Sequence, residues 1–258
     1  MVVISAENIP EFINDKIVHL EYNVDINKIK LPDEIEELKI DGKFIVNLQN
    51  LPKKIGKLIL NIGQEELEKS VLPDDICELE IDGNKDCFLD KFPSRLMKLK
   101  VKNFGGLIIE KLPMIEEMEL DGIKEINLDF LPCSLRRLSV RNWRDNNIYN
   151  FVNLPNSIEE LELDGIFYEY IPNTITRLIL RNIVADDENV CQMVERDVLD
   201  IVFNGVYMDC CVVIENVKEL YLRNVAGIRE VMVDGVKYEG VVELQKKNGE
   251  IEIQKITI

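Results

Sequence analysis

Histidine and aromatic rings are scarce in this chain, and basic side chains are outnumbered by acids. Lysine and arginine together number 31 against 48 aspartates and glutamates, a formal charge of −17. Nucleic acid and anionic membranes are thereby disfavoured as partners, because both would repel the chain's overall field. With one histidine, His19, and six cysteines (Cys77, Cys87, Cys133, Cys191, Cys210, Cys211) that form no C-x-x-C, a zinc framework is missing. The cysteines are scattered along the chain, a pattern expected of reduced thiols inside a cell and not of a disulfide-built secreted domain. No apolar run is long enough to span a membrane. The start, MVVISAENIPEF, lacks a basic flank and holds only a short apolar stretch, so it does not read as a secretory signal. Gly105-Gly106 opens no helix and forms no phosphate cradle. These absences point to an intracellular protein, in cytoplasm, host cytoplasm or a virion, with no cofactor and no metal.

What the chain has in abundance is a repeat. A Leu-Pro step, or a close variant, recurs about every 20 residues, at Pro32, Pro52, Pro73, Pro93, Pro113, Pro132, Pro155 and Pro172. Each opens a unit of the form LP-x-x-I-x-x-L-x-I-x-G/N, as in LPDEIEELKIDG and LPNSIEELELDG. In x-L-x-I-x the apolar residues alternate with polar ones, which puts the apolar pair on one face of a strand. So short a strand cannot bury that face alone. Stacking the units lets Leu38, Leu58, Leu79, Leu99, Met118, Leu138, Leu161, Leu178, Ile201 and Leu220 form one internal column. Ile40, Leu60, Ile81, Val101, Leu120, Val140, Leu163, Leu180, Phe203 and Leu222 form a second. The spacing leaves only about 14 residues for each return, too few for a long helix, and proline favours an extended path there. The expected fold is a β-rich solenoid, a parallel β stack with extended returns and few helices.

Charges alternate along the stack. The residue before the first buried leucine runs Glu37, Lys57, Glu78, Lys98, Glu117, Arg137, Glu160, Arg177, Asp200. With neighbouring strands roughly 4.8 Å apart, each acid is expected between two bases, so the ladder neutralises itself and helps fix the register. The middle outward position instead ends in Ile179, Val202, Tyr221 and Met232, an apolar patch rimmed by Arg177, Arg181, Arg223 and Asp200. It is read either as a partner-binding site or as a surface that the C-terminal segment covers. The Gly or Asn closing most strands, such as Asn103 and Gly122, suits a turn that needs positive φ.

Both ends depart from the pattern. Strand spacing falls to about 11 residues after Leu220, and VVELQKK-NG-EIEIQKI reads as a hairpin around Asn248-Gly249. Val2 to Ile4 and Val18 to Tyr22 read as irregular first strands. The chain is therefore taken as one domain over 1–258, with an N-terminal cap over 1–30, repeats over 31–235, including GIREVMVDG as a late unit, and a C-terminal β-hairpin cap over 236–258. Within the array, Asp186 to Arg196 carries helix-start chemistry and predicts one short helix. Trp143, Phe44, Phe104 and Phe167 recur just after the turns and are expected to plug the edge of the stack.

Over about residues 10 to 235 these units resemble leucine-rich repeats, with the L-x-x-L-x-L spacing recurring throughout. The form of LPCSLRRLSV and LPNSIEELEL is similar to the FNIP repeats of amoebae and giant DNA viruses and to the short repeats of bacterial effector proteins. The resemblance implies a curved, non-enzymatic scaffold that binds other proteins through its open strand face, and it brings no catalytic residue. The alternative is a structural or assembly component of a larger particle.

Overall fold

A strand with two inward side chains gains little from burial by itself, so neighbouring coils must supply the walls of its core. In the computed structural model this requirement is met by parallel pairing of successive units. Described are residues 1–21, 24–42, 48, 51–61, 72–83, 88–89, 91–103, 106–107, 112–122, 125–126, 131–141, 154–164, 174–181, 184–185, 200–204, 207–208, 211–214, 219–223, 230–233, 236–239, 243–247 and 250–254. The chain divides into two compact units, Met1–Leu135 and Arg136–Ile258.

In the first unit β1 (Val2–Ile4), β2 (Ile17–Leu20), β3 (Glu34–Asp41), β4 (Lys54–Asn61), β5 (Glu78–Asp82), β6 (Lys98–Lys102) and β7 (Glu117–Asp121) lie side by side in chain order. Every pairing among them is parallel. Parallel neighbours that are also successive in sequence require a full return between each pair, which makes the unit a β-solenoid. Phe88–Leu89, Gly106–Leu107 and Glu125–Ile126 stack in parallel as a second, small sheet on those returns. Among the described residues helix is limited to short 3₁₀ stretches, as at Ile26–Lys28.

The second unit repeats the scheme with β8 (Arg137–Arg141), β9 (Glu160–Asp164), β10 (Arg177–Arg181), β11 (Asp200–Asn204) and β12 (Glu219–Arg223), again parallel and in order. Val184–Ala185 pairs in parallel with Tyr207–Met208 on the returns. The stack then changes character. β13 (Glu243–Lys247) pairs antiparallel with β12, and β14 (Glu250–Gln254) pairs antiparallel with β13, the hairpin that the Asn-Gly dipeptide announced. One expectation is corrected here. Glu230–Val233, read as a further rung, lies instead in a separate 3-stranded sheet between Cys211–Ile214 and Val236–Glu239. The short interval after Leu220 explains this, because it leaves too little chain for another full coil.

Register brings the same repeat position of successive units face to face. Leu38, Leu58, Leu79, Leu99 and Met118 pair in sequence in the first unit, and all are buried. Ile40, Leu60, Ile81, Val101 and Leu120 form the second column, also buried. In the second unit Leu161, Leu178, Ile201 and Leu220 hold the first register position, and Leu163, Leu180, Phe203 and Leu222 the second. A third buried column comes from the isoleucine or leucine that follows each proline turn: Ile35, Ile55, Ile76, Leu96, Ile115 and Leu135, with Ile158 and Ile175 in the second unit.

The proline turns place that third column. Ile76, Leu96, Leu135 and Ile158 each donate the backbone N–H to the carbonyl of the proline three residues earlier. LPMIEEMELDG is one residue shorter than its neighbours, and there Ile115 bonds Pro113 two residues back, at 2.8 Å, so a tighter turn absorbs the deletion. Asn103 and Gly122, which close β6 and β7, have φ of 52° and 67°, the left-handed conformation expected of those residue types. The segments carrying the predicted 186–196 helix and Phe44, Phe104, Trp143 and Phe167 lie outside the described residues.

Gly56 sits where two coils approach closely. A Cβ at this position would fall 2.9 Å from the Glu36 carbonyl oxygen, a backbone atom that cannot swing aside as a side chain would. Gly56→Ala should therefore destabilise by about 1–3 kcal/mol, as overpacking does, measured by urea unfolding; unchanged stability would show that β3 and β4 can separate at no cost.

Candidate partner-binding face

The outward residues of the parallel strands form three rows, set by the alternation of each strand. In the first row Lys57 pairs with Glu37 at 3.3 Å, and Lys98 reaches both Glu78 at 3.8 Å and Glu117 at 3.5 Å. In the second unit Glu160 takes Arg137 at 3.2 Å and Arg177 at 3.6 Å. A base between two acids and an acid between two bases are the arrangement that alternation predicts. These pairs are half-exposed, so each contributes only a few tenths of a kcal/mol, about 0.2–1.

The third row behaves differently. Its bases turn diagonally into the middle row: Lys102 meets Glu80 at 3.2 Å and Arg141 meets Glu162 at 2.6 Å. Asn103 donates to Asp82 in place of a base. Within the middle row Lys100 meets Glu119 at 2.9 Å. Glu162 is the buried charged residue of this face, and it also accepts from the Ser139 hydroxyl at 3.0 Å. Sequence reading missed this cluster. Its signal was the serine at 139, the one small hydroxyl in a middle row of long side chains, which leaves room for Glu162 to lie down beside it.

In the first unit, Asp41 gathers three donors. His19 Nε2 lies 2.5 Å from its carboxylate, Lys39 Nζ lies at 3.0 Å, and the Asn61 amide donates to the second oxygen. Partial burial acts to raise the Asp41 pKa, but the bonds from His19, Lys39 and Asn61 and the Lys39 charge outweigh it and hold the carboxyl below its ordinary value. The single histidine is therefore engaged in a bond between coils. Among the described residues no cluster of His, Cys, Asp and Glu is placed to hold a metal ion.

The predicted apolar patch is only partly assembled. Ile179, Val202 and Tyr221 occupy successive register positions on β10, β11 and β12, between Glu162 and Gln245. Arg177 stands opposite Asp200, and Arg181, Asn204 and Arg223 follow one another in the third row. Two corrections apply. Met232 pairs with Val213 and Lys237 in the separate sheet and is not in this row. Ile179 is only 6 % exposed, so the row is closed at that residue, beside the buried Glu162. The alternation also ends here, since Asp200 stands opposite Glu219, acid against acid.

Truncating Arg141 to Ala should cost about 1–3 kcal/mol because it takes a charge-assisted bond away from a buried carboxylate. Arg137→Ala, in the exposed first row, should cost less than about 1 kcal/mol; equal losses on chemical unfolding would refute the distinction between rows. For Asp41 the folded carboxyl is the stronger acid, so its stabilising contribution is complete above about pH 4, the unfolded aspartate range, and is lost as pH falls through the folded value. The stability difference between wild type and Asp41→Asn should accordingly shrink towards acid, and a difference independent of pH would contradict the assigned bonds.

No protein-family model matches the chain, and no curated protein matches it. Among solved structures, it is similar to CroV588, described as a novel circular LRR protein, with a TM-score of 0.51 at 15 % identity. The alignment covers 84 % of this chain and 49 % of that one, so the chain spans about half the length of its structural neighbour. No helix among the described residues is long and apolar enough to cross a membrane. Parallel coils, in-register apolar columns and this neighbour together make the fold a leucine-rich-repeat-like β-solenoid.

Proposed function

We propose that the protein is a non-enzymatic scaffold that binds another protein through the open face of its parallel strands. The observation that supports this reading is the change in the middle row of the second unit. Elsewhere on the face the described charges satisfy one another across neighbouring coils. At Val202 and Tyr221 the register places apolar and aromatic residues side by side instead, flanked by Arg177, Arg181, Arg223 and Asp200. An aromatic anchor with arginines at its rim is the composition of interface hot spots. Ile179 serves this arrangement as a buried floor, and Met232 has no part in it.

Rigid strands suit such a role, because recognition residues held by a hydrogen-bonded ladder lose little freedom on binding. The partner is a protein, and neither nucleic acid nor membrane is favoured by the charge of −17.

Affinity purification from the native source, compared between wild type and Tyr221→Glu, tests the reading. A discrete protein should co-purify with wild type and fall at least tenfold with Tyr221→Glu, while circular dichroism and melting stay unchanged. Recovery of the same protein by both variants would refute the proposed face. Co-sedimentation of wild type with a large assembly would instead favour a structural component.

A further inference from the structure

We propose, resting on the strand-face reading above, that the partner meets the second unit with an acidic segment, which sets a carboxylate over Asn204 and an apolar residue over Val202 and Tyr221. The third row breaks its pattern at this point. By register it runs Asp164, Arg181, Asn204, Arg223 and Glu243 on β9 to β13. Alternation calls for an acid at 204, and asparagine supplies none. Arg181 and Arg223 therefore each have an acid on one flank and share a neutral amide on the other.

The first unit shows what an asparagine in this row normally does. Asn61 stands between Asp41 and Asp82, and its amide donates to Asp41. At 204 the neighbours are bases, to which an amide carbonyl offers an acceptor without a negative charge. The first row shows what two flanking bases do with an acid, since Glu160 takes both Arg137 at 3.2 Å and Arg177 at 3.6 Å. Arg181 and Arg223 stand two strand spacings apart, about 9.6 Å, so a carboxylate over Asn204 has a base on each side in the same way.

The middle row does not make up the deficit. Lys102 and Arg141 lean diagonally to Glu80 and Glu162. The same diagonals lead from Arg223 to Val202 and Gln245, and from Arg181 to Val202 and to Glu162, which already serves Arg141 and Ser139. Asp200 and Glu219 lie in the first row, four residues down the strands and about 13 Å away. The second and third rows are two residues apart, about 7 Å, which is the spacing of alternate same-face residues on an extended partner segment. An acid and an apolar residue at such positions therefore meet Asn204 and the Val202–Tyr221 step together.

The test uses the full chain and a fluorescein-labelled ten-residue peptide in which leucine-glycine and aspartate-glycine steps alternate, followed by anisotropy at physiological salt, with a lysine-for-aspartate counterpart beside it. The formal charge of −17 favours the lysine peptide, so a preference for aspartate has to come from the local row, within a screening length of about 8 Å. Wild type should bind the aspartate peptide at least tenfold more tightly. Asn204→Asp supplies the missing acid from within the chain, and should raise the melting temperature while weakening the aspartate peptide at least tenfold. Arg223→Gln should weaken it by a similar factor, whereas Arg136→Gln, the same charge change at an exposed site outside the three rows, should not. Absence of binding, equal or tighter binding of the lysine peptide, or undiminished binding by Asn204→Asp would overturn the proposal. If both peptides bind alike and both are lost on Tyr221→Glu, the face stands and its acidic occupant falls. Binding that survives Tyr221→Glu would show that the face itself is wrongly assigned. Dimers of wild type that Asn204→Asp abolishes would overturn the proposal too, since the acid would then come from a second copy.

Discussion

A strand of five residues has no interior of its own, and every other feature of this chain follows from that shortage. The core exists only as columns, one inward position per coil repeated along the stack, so each unit depends on its neighbours for burial. Parallel, in-register pairing is what turns a repeated sequence into a continuous column, because it places Leu58 beside Leu38 and Leu79 and never beside a polar neighbour. Proline contributes at the return, where the turn that ends at Ile76 or Leu96 aims a third apolar residue inward. The same constraint brings identical outward positions together, and there identity is harmful if the residues are charged.

Alternating sign resolves that conflict, and the structure shows two ways of doing so. In the first row the opposing charges meet straight across the ladder, as between Lys98 and its two glutamates. In the third row Lys102 and Arg141 lean inward to Glu80 and Glu162. Leaning has a chemical consequence, since it draws Glu162 out of water and makes Arg141 a requirement where Arg137 is a convenience. Each unit's strands are thus tied together electrostatically, and within the second unit the apolar step at Val202 and Tyr221 stands out.

The columns, the parallel stacking, the alternation and the closing hairpin were legible in the sequence because each is a period: every unit votes for the same answer. The features that were not legible break the period. Met232 carries the spacing of a rung, yet its strand pairs with Val236–Glu239 and Cys211–Ile214, since pairing partners near the end of an array are chosen by available chain length and not by the motif. Ile179 occupies an outward position by alternation but is buried, an outcome fixed by three-dimensional surroundings that a strand pattern cannot encode. Nothing beside His19 in the chain names its partner, and only the register, which brings β2 against β3, reveals its bond to Asp41.

The short turn at Pro113 shows how such an array keeps time. A missing residue there is swallowed before the strand begins, and Met118 and Leu120 arrive in step with the preceding coil. The bends can therefore absorb a change in length while the rungs stay synchronised, so an edit made at a return is silenced before it reaches the spine.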